Sequence, residues 1–329
     1  MNAKMKDVAQ KAEVSIATVS HVINETRYVS ENTKNKVIKA MKELDYHPNS
    51  AARLLKGKES KIIGFLVPDI SNSFFTKIAK EIELILRDRG YNLIVSNSDE
   101  EVKKEKEQLK VFNSQLIDGL IMAPSADDHS FLEEKLKDYP VVFIDRKPAG
   151  YNKGDRVLVK NEDGSYNAVE HLINSGHTNI GIITGLPGLT TTNERLEGYK
   201  KALKDNNIRI RNEFIKGGNS MFDSGYKLTR ELVDSTDITA IFATNNLMTV
   251  GSMNYLKENS VQIPEEIAII GYDNYNWATI TDPSLSVVKQ PIQEIGKKSA
   301  ELVLSRIDEE KQAFSEYRLD NKLIIRSSC

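Results

Sequence analysis

The sequence predicts an α/β protein in two parts: a three-helix head at the N-terminus and a large body of two parallel-sheet lobes. Three observations predict it. The first 48 residues carry three short amphipathic helix patterns. From residue 61, short apolar runs alternate with helical patterns, as in parallel sheets covered on both faces. Charge divides at the same place: residues 1–60 hold 11 Lys+Arg against 7 Asp+Glu, and the remainder 34 against 40. A basic head on an acidic body suits a nucleic-acid-binding module joined to something that is not one.

In the head, Val8, Ala9 and Ala12 form one apolar stripe at helical spacing. Glu13-Val14-Ser15 is long enough only for a turn, and the Ser15 hydroxyl suits the N-cap of a second helix. Val19, Val22 and Ile23 bury the inner side of that helix. Ile16, Ala17, Thr18, Ser20 and His21 are left facing outward. A helix-turn-helix sets such outward residues near the second helix's N-terminus against base edges in a DNA groove. Ser30, with Thr33 in the capping-box position, opens a third helix with Val37, Ala40, Met41 and Leu44 as its core stripe. That helix ends near Tyr46-His47-Pro48. Residues 49–57 follow as a short helix candidate with too little apolar face to be stable alone.

Lys6-Asp7-Val8-Ala9, Val14-Ser15, Ala17-Thr18-Val19-Ser20, Val22-Ile23-Asn24 and Tyr46-His47-Pro48-Asn49 closely resemble the lactose-repressor (LacI/GalR) family of bacterial transcription regulators. The resemblance continues along nearly the whole chain. It implies a helix-turn-helix DNA-binding domain at 1–48, a hinge and linker at 49–60 that turns helical on DNA, and an effector-binding and dimerisation domain at 61–329. It also implies a homodimer on double-stranded operator DNA. The DNA contacts it carries over are Ser15, Ile16, Ala17, Thr18, Ser20, His21 and Asn24 in the head, and Arg53, Leu55 and Lys56 in the hinge. Leu55 matches the family's minor-groove wedge.

In the body, strands are expected at Ile62–Val67, Tyr91–Val95, Gly119–Met122, Val141–Ile144, Ile180–Thr184, Ala240–Ala243 and Ile267–Ile270. Further strands are expected near Leu285 and at Lys322–Ile325. Helices are expected between them, among them Phe75–Arg89, Gly164–Ser175, Glu194–Asn206 and Leu247–Glu258. So many strands imply two lobes.

Several functions are disfavoured. The loop after the first strand, Pro68 to Phe75, lacks the glycines that bring backbone against a pyrophosphate. Gly185-Leu186-Pro187-Gly188 reads as a turn, without the Lys-Ser/Thr of a phosphate loop. The five histidines show no metal-ligand spacing, and no nucleophile–base pair emerges, so no metal, cofactor or enzymatic reaction is expected. The sole cysteine, Cys329, gives no disulfide framework, and no apolar run approaches the ~20 residues that span a bilayer. A cytoplasmic protein without membrane contact is expected.

Open α/β sheets bind ligands outside the carboxyl ends of their strands. Those loops carry Asn72, Phe74 and Phe75, then Asp145 and Arg146, Arg195, Phe222, Asn245, Asp273 and Gln290. Carboxylates and amides meet adjacent hydroxyls, Arg donates in a planar fork, and aromatic rings cover apolar C–H faces, so the set suits a sugar. The body resembles the periplasmic sugar-binding-protein fold. All ten residues coincide with the sugar contacts of ribose-binding proteins, above all in Asn72-Ser73-Phe74-Phe75, Ile144-Asp145-Arg146 and Glu194-Arg195-Leu196-Glu197-Gly198. The expectation is a repressor of a sugar-utilisation operon, released by a small sugar such as D-ribose. The alternative is a family regulator answering to another sugar or to a protein co-effector of carbon-catabolite type.

Overall fold

The computed structural model describes residues 3–24, 27–46, 60–125, 128–136, 139–308 and 313–329. The chain divides into two compact units, Met1–Ser60 and Lys61–Cys329.

The first unit has three helices: α1 (Met5–Lys11), α2 (Ile16–Asn24) and α3 (Glu31–Glu43). They close around Val8, Ala9, Ala12, Val19, Val37 and Ala40, the stripes seen in the sequence. The α1–α2 turn passes through Glu13 in the left-handed region, at φ +55°. Ser15 Oγ accepts the Thr18 amide at 3.0 Å, and Ser30 Oγ accepts that of Thr33, so both helices start on hydroxyl caps. The hinge candidates Arg53, Leu55 and Lys56 lie outside the described residues.

In the second unit the chain builds lobe 1 first. Its elements are β1 (Ile62–Val67), α4 (Ser73–Asp88), β2 (Asn92–Asn97), α5 (Val102–Gln115), β3 (Gly119–Met122), α6 (Leu132–Lys135), β4 (Val141–Ile144) and β5 (Asp155–Val159). Lobe 2 follows with α7 (Asn161–Asn174), β6 (Ile180–Thr184), α8 (Thr190–Asp205), β7 (Ile215–Gly217), α9 (Phe222–Ser235), β8 (Ala240–Ala243), α10 (Asn246–Glu258), β9 (Ala268–Tyr272), α11 (Trp277–Ile280) and β10 (Ser286–Lys289). The chain then returns to lobe 1 as α12 (Ile292–Asp308) and β11 (Glu316–Leu319), and ends in lobe 2 as β12 (Lys322–Ile324). The sheet orders are β11-β5-β4-β3-β1-β2 and β12-β10-β9-β8-β6-β7. All pairings are parallel except that of β12 with β10.

Each sheet is buried on both faces. In lobe 1, α4 and α12 cover one face through Ile78, Ile82, Leu86, Ile295 and Val303, and Leu109 and Phe112 of α5 cover the other. In lobe 2, α7 and α8 pack Leu172 and Tyr199 on one face, and Leu232 and Leu256 of α9 and α10 lie on the other. The chain crosses between lobes three times: at Lys160, at Gln290-Pro291 and at Asp320-Asn321.

Three strands escape the sequence reading: β5, β7 and β11. β7 and β11 are sheet edges. An edge strand has one free side, so it needs no continuous apolar run, and Glu-Tyr-Arg-Leu of β11 gives almost no signal.

Candidate functional site

Of the α2 residues expected to face outward, only Ile16 and Ala17 are exposed. Val19 is fully buried, and Ile16 is 53% exposed. Ser15 and Ala17 are exposed, while Thr18, Ser20 and His21 are half-buried. Thr18 is tied to Ser15 by a hydroxyl–hydroxyl bond of 2.9 Å. Residues absent from the sequence reading lie beside His21. Arg27, Tyr28 and Lys34 share a shallow depression with it, and Tyr28 is 94% exposed. Aromatic and basic side chains beside the last turn of α2 fit a phosphate-lined groove.

In the body, strand ends and helix starts converge on one cavity of about 40 Å³ between the lobes. Asn72, Phe74, Phe75, Asp145, Arg146, Arg195, Asn245, Asp273 and Gln290 all line it. Phe222 is not among the lining residues; as the first residue of α9 it is 37% exposed. Phe74 and Phe75 stand edge to face, with centroids 5.1 Å apart, and serve at once as cavity wall and lobe 1 core. Asn72 and Asn245 cap α4 and α10, accepting the amides of Phe74 and Met248.

The two aspartates occupy matching places in the two lobes. Asp145 follows β4 and Asp273 follows β9. Both are left-handed, at φ +64° and +68°, a conformation Asp tolerates better than most residues. Each amide still pairs with the neighbouring strand, on Val157 O and Val288 O. Strain of this kind, held in place by the surrounding sheet, gathers at ligand sites.

Each arginine is fixed from behind. Arg146 donates from Nε to Asp145 at 3.1 Å and from Nη1 to Glu100 at 2.8 Å and Pro124 O at 3.2 Å. Burial works against its charge, but the Glu100 and Asp145 carboxylates outweigh burial and hold its pKa above the ordinary value. Arg195 donates from Nε to Asn161 at 3.0 Å and from Nη1 to Thr244 O at 2.8 Å, with its guanidinium 3.9 Å from the Tyr272 ring centre. Asp273 accepts from Gln290 Nε2 at 2.8 Å. Burial pushes its carboxyl up to about 6, the Gln290 and Arg195 contacts opposing the rise and the Asp145 charge adding to it. Gln290 Oε1 is buried with no hydrogen-bond partner, an acceptor poised for a ligand donor. Among the described residues, no group of three or more His, Cys, Asp or Glu side chains could hold a metal ion.

Residues 4–49 match the bacterial regulatory proteins of the lacI family, and residues 169–329 match the periplasmic binding protein-like domain. The HTH-type transcriptional repressor PurR of Vibrio vulnificus (strain CMCP6) is 34% identical over 99% of this chain and 98% of its own. The chain belongs to the LacI family. It is a DNA-binding transcriptional repressor rather than an enzyme. Among solved structures, the lac repressor dimer bound to operator and the anti-inducer ONPF superposes with a TM-score of 0.88, at 27% identity over 100% of this chain and 99% of that one. A LacI family regulator from Enterococcus faecium with bound ribose gives 0.72, at 32% identity over 81% and 98%.

As a LacI-family repressor, the chain keeps its two lobes in contact across the cleft. Asn246 Nδ2 donates to Asn72 Oδ1 at 2.7 Å and, within lobe 2, to the Tyr275 hydroxyl at 2.8 Å. Lys147 N donates to Thr190 Oγ1 at 3.1 Å. The sequence reading does not include Glu100, Asn161 or Asn246 among site residues. The strand-end rule could have found Glu100, since it lies on the loop after β2. Nothing local marks Asn161. No helix among the described residues is long and apolar enough to cross a membrane.

Proposed function

We propose that this repressor controls a sugar-utilisation operon and that D-ribose, or a close pentose, releases it from its operator. One observation carries the reading: two carboxylates and two arginines converge on a compact cavity, each arginine anchored by Nε and Nη1. Such a set can meet a hydroxyl on nearly every carbon of a small ring, with Phe74 and Phe75 against the apolar face. The ribose-bound relative at 32% identity supports the sugar class. The similarity to PurR repressors favours a second reading, a purine effector in the same cavity. Phe74 and Phe75 could stack on a base, but a base offers no hydroxyls to two aspartates. A protein co-effector would add a surface contact without using the cavity.

In this reading α2 reads the major groove through Ile16, Ala17 and His21, with Ser15, Thr18, Ser20 and Asn24 in support. Arg27 and Lys34 meet phosphates. Arg53, Leu55 and Lys56 act at the minor groove, and the repressor binds as a homodimer. The sugar binds one lobe arrangement better than the other, and that difference alone moves the equilibrium. Calorimetry of D-ribose and of purine bases, with and without operator DNA, tests the proposal. Heat with ribose and weaker operator binding in its presence are expected. No heat with ribose overturns the effector. Tighter operator binding with ribose overturns the direction of the switch.

A further inference from the structure

We propose that Asn161 is a positioning residue that aims Arg195 into the cavity and ties that aim to the segments joining the lobes. The proposal rests on the reading of Arg195 as an effector ligand.

Asn161 is the first residue of α7, one position past the first lobe crossing, and is 1% exposed. Its side chain does not serve as the helix cap, since the N-cap position is Lys160. Oδ1 accepts from Arg195 Nε at 3.0 Å and from the Tyr272 hydroxyl at 3.2 Å. Nδ2 donates to Glu194 Oε2 at 3.0 Å and to Val159 O at 3.3 Å. A carboxamide has two acceptor sites and two donors, and all four are used. With Nε held by Asn161 and Nη1 by Thr244 O, the guanidinium plane is set where Arg195 lines the cavity.

The partners of Asn161 reach both lobes. Glu194 Oε1 accepts from Arg318 Nη2 of β11, in lobe 1, at 3.0 Å. The Tyr272 hydroxyl lies 3.5 Å from Asn321 Nδ2, which also donates to Lys160 O at 3.1 Å. The first and third crossings thus meet on the atoms that hold Asn161. Gly198 makes the approach of α8 to α7 possible: a Cβ there would lie 2.2 Å from Glu162 O. A shift of the crossings moves Asn161, and Arg195 moves with it.

A reciprocal pair of substitutions tests this. Asn161→Asp leaves Arg195 its acceptor but sets a carboxylate against Glu194. Glu194→Gln can set a donor against the Asn161 donor. Together they restore one donor facing one acceptor. Each single variant should bind D-ribose about tenfold more weakly, the loss of about one hydrogen bond, with operator release displaced to higher sugar. The double variant should bind better than its singles combined predict, although Val159 O stays without its donor, a coupling that independent structural damage does not produce. Amide exchange at residues 160–161 and 320–322, measured without sugar, supplies a second readout. It should quicken in each single variant and slow again in the double. Unchanged singles, or a double no better than its singles combined, overturn the proposal. If wild type gives no heat with D-ribose, the ribose reading falls. The exchange cycle then decides alone: recovery in the double supports Asn161 as the positioning residue, and no recovery overturns it.

Discussion

Asp273 is held where its charge is costly, and removing that charge should stabilise the protein while disabling it. The carboxyl is 4% exposed, and burial raises its pKa from 3.8 to about 6. At 1.36 kcal/mol per unit this shift is worth about 3 kcal/mol at neutral pH. For an acid with a raised folded-state pKa, the native state takes the proton first as pH falls. The penalty is therefore complete above about pH 6 and fades as pH drops towards 3.8. Asn at this position keeps the shape and can still accept from Gln290 Nε2, but never ionises. Asp273→Asn should be about 3 kcal/mol more stable than wild type at pH 7, and less than about 1 kcal/mol more stable at pH 4. Denaturant unfolding at several pH values measures this, followed by the fluorescence of Trp277, the only tryptophan. That residue sits on α11, just after the Asp273 loop. The same variant should lose effector binding, because a carboxylate acceptor for ligand hydroxyls is gone. In wild type, effector affinity should fall as pH drops through 6, with protons released on binding. An equal stability of the two proteins at pH 7, or a difference independent of pH, would refute the argument.

Three further perturbations follow from the same structure. Arg146→Ala leaves the Asp145 and Glu100 carboxylates without their shared counter-charge, at a cost of about 3–5 kcal/mol. It should lower the melting temperature and abolish sugar heat in calorimetry, while operator binding persists and no longer responds to sugar. His21→Ala should relax base preference at one operator position by ~1–3 kcal/mol, read by competition across a library of operator variants, since Ile16 and Ala17 can touch thymine methyls but not discriminate by paired hydrogen bonds. Asp155 is fully buried and receives Arg306 Nε and Nη2 at 2.8 and 2.9 Å and the Ser315 amide at 2.8 Å. Asp155→Ala should therefore cost about 3–5 kcal/mol by denaturant unfolding and loosen β11 first, as seen in faster amide exchange at residues 316–319.

The sequence by itself determined the elements whose signals are local. The expected bounds of β1, β3, β4, β6 and β8 coincide with those observed, because a strand buried on both faces must be apolar throughout. The head's stripes and the Ser15 and Ser30 caps were legible for the same reason: a helix writes its buried face and its start into a few neighbouring residues. The strand-end rule brought nine of the ten named effector residues to one cavity, since parallel strands put all their carboxyl ends on one rim. Tertiary structure alone decided the partners. Phe222 opens α9 yet lies off the cavity lining. Glu100 completes the Arg146 site from a loop 46 residues away in sequence. Asn161 reaches Arg195 across 34 residues, and Asn246 meets Asn72 across 174. Hydrophobic period reports which face of a segment is buried, not what it is buried against. The charge state of Asp273, the aim of both arginines and the meeting of the lobe crossings come from that second fact.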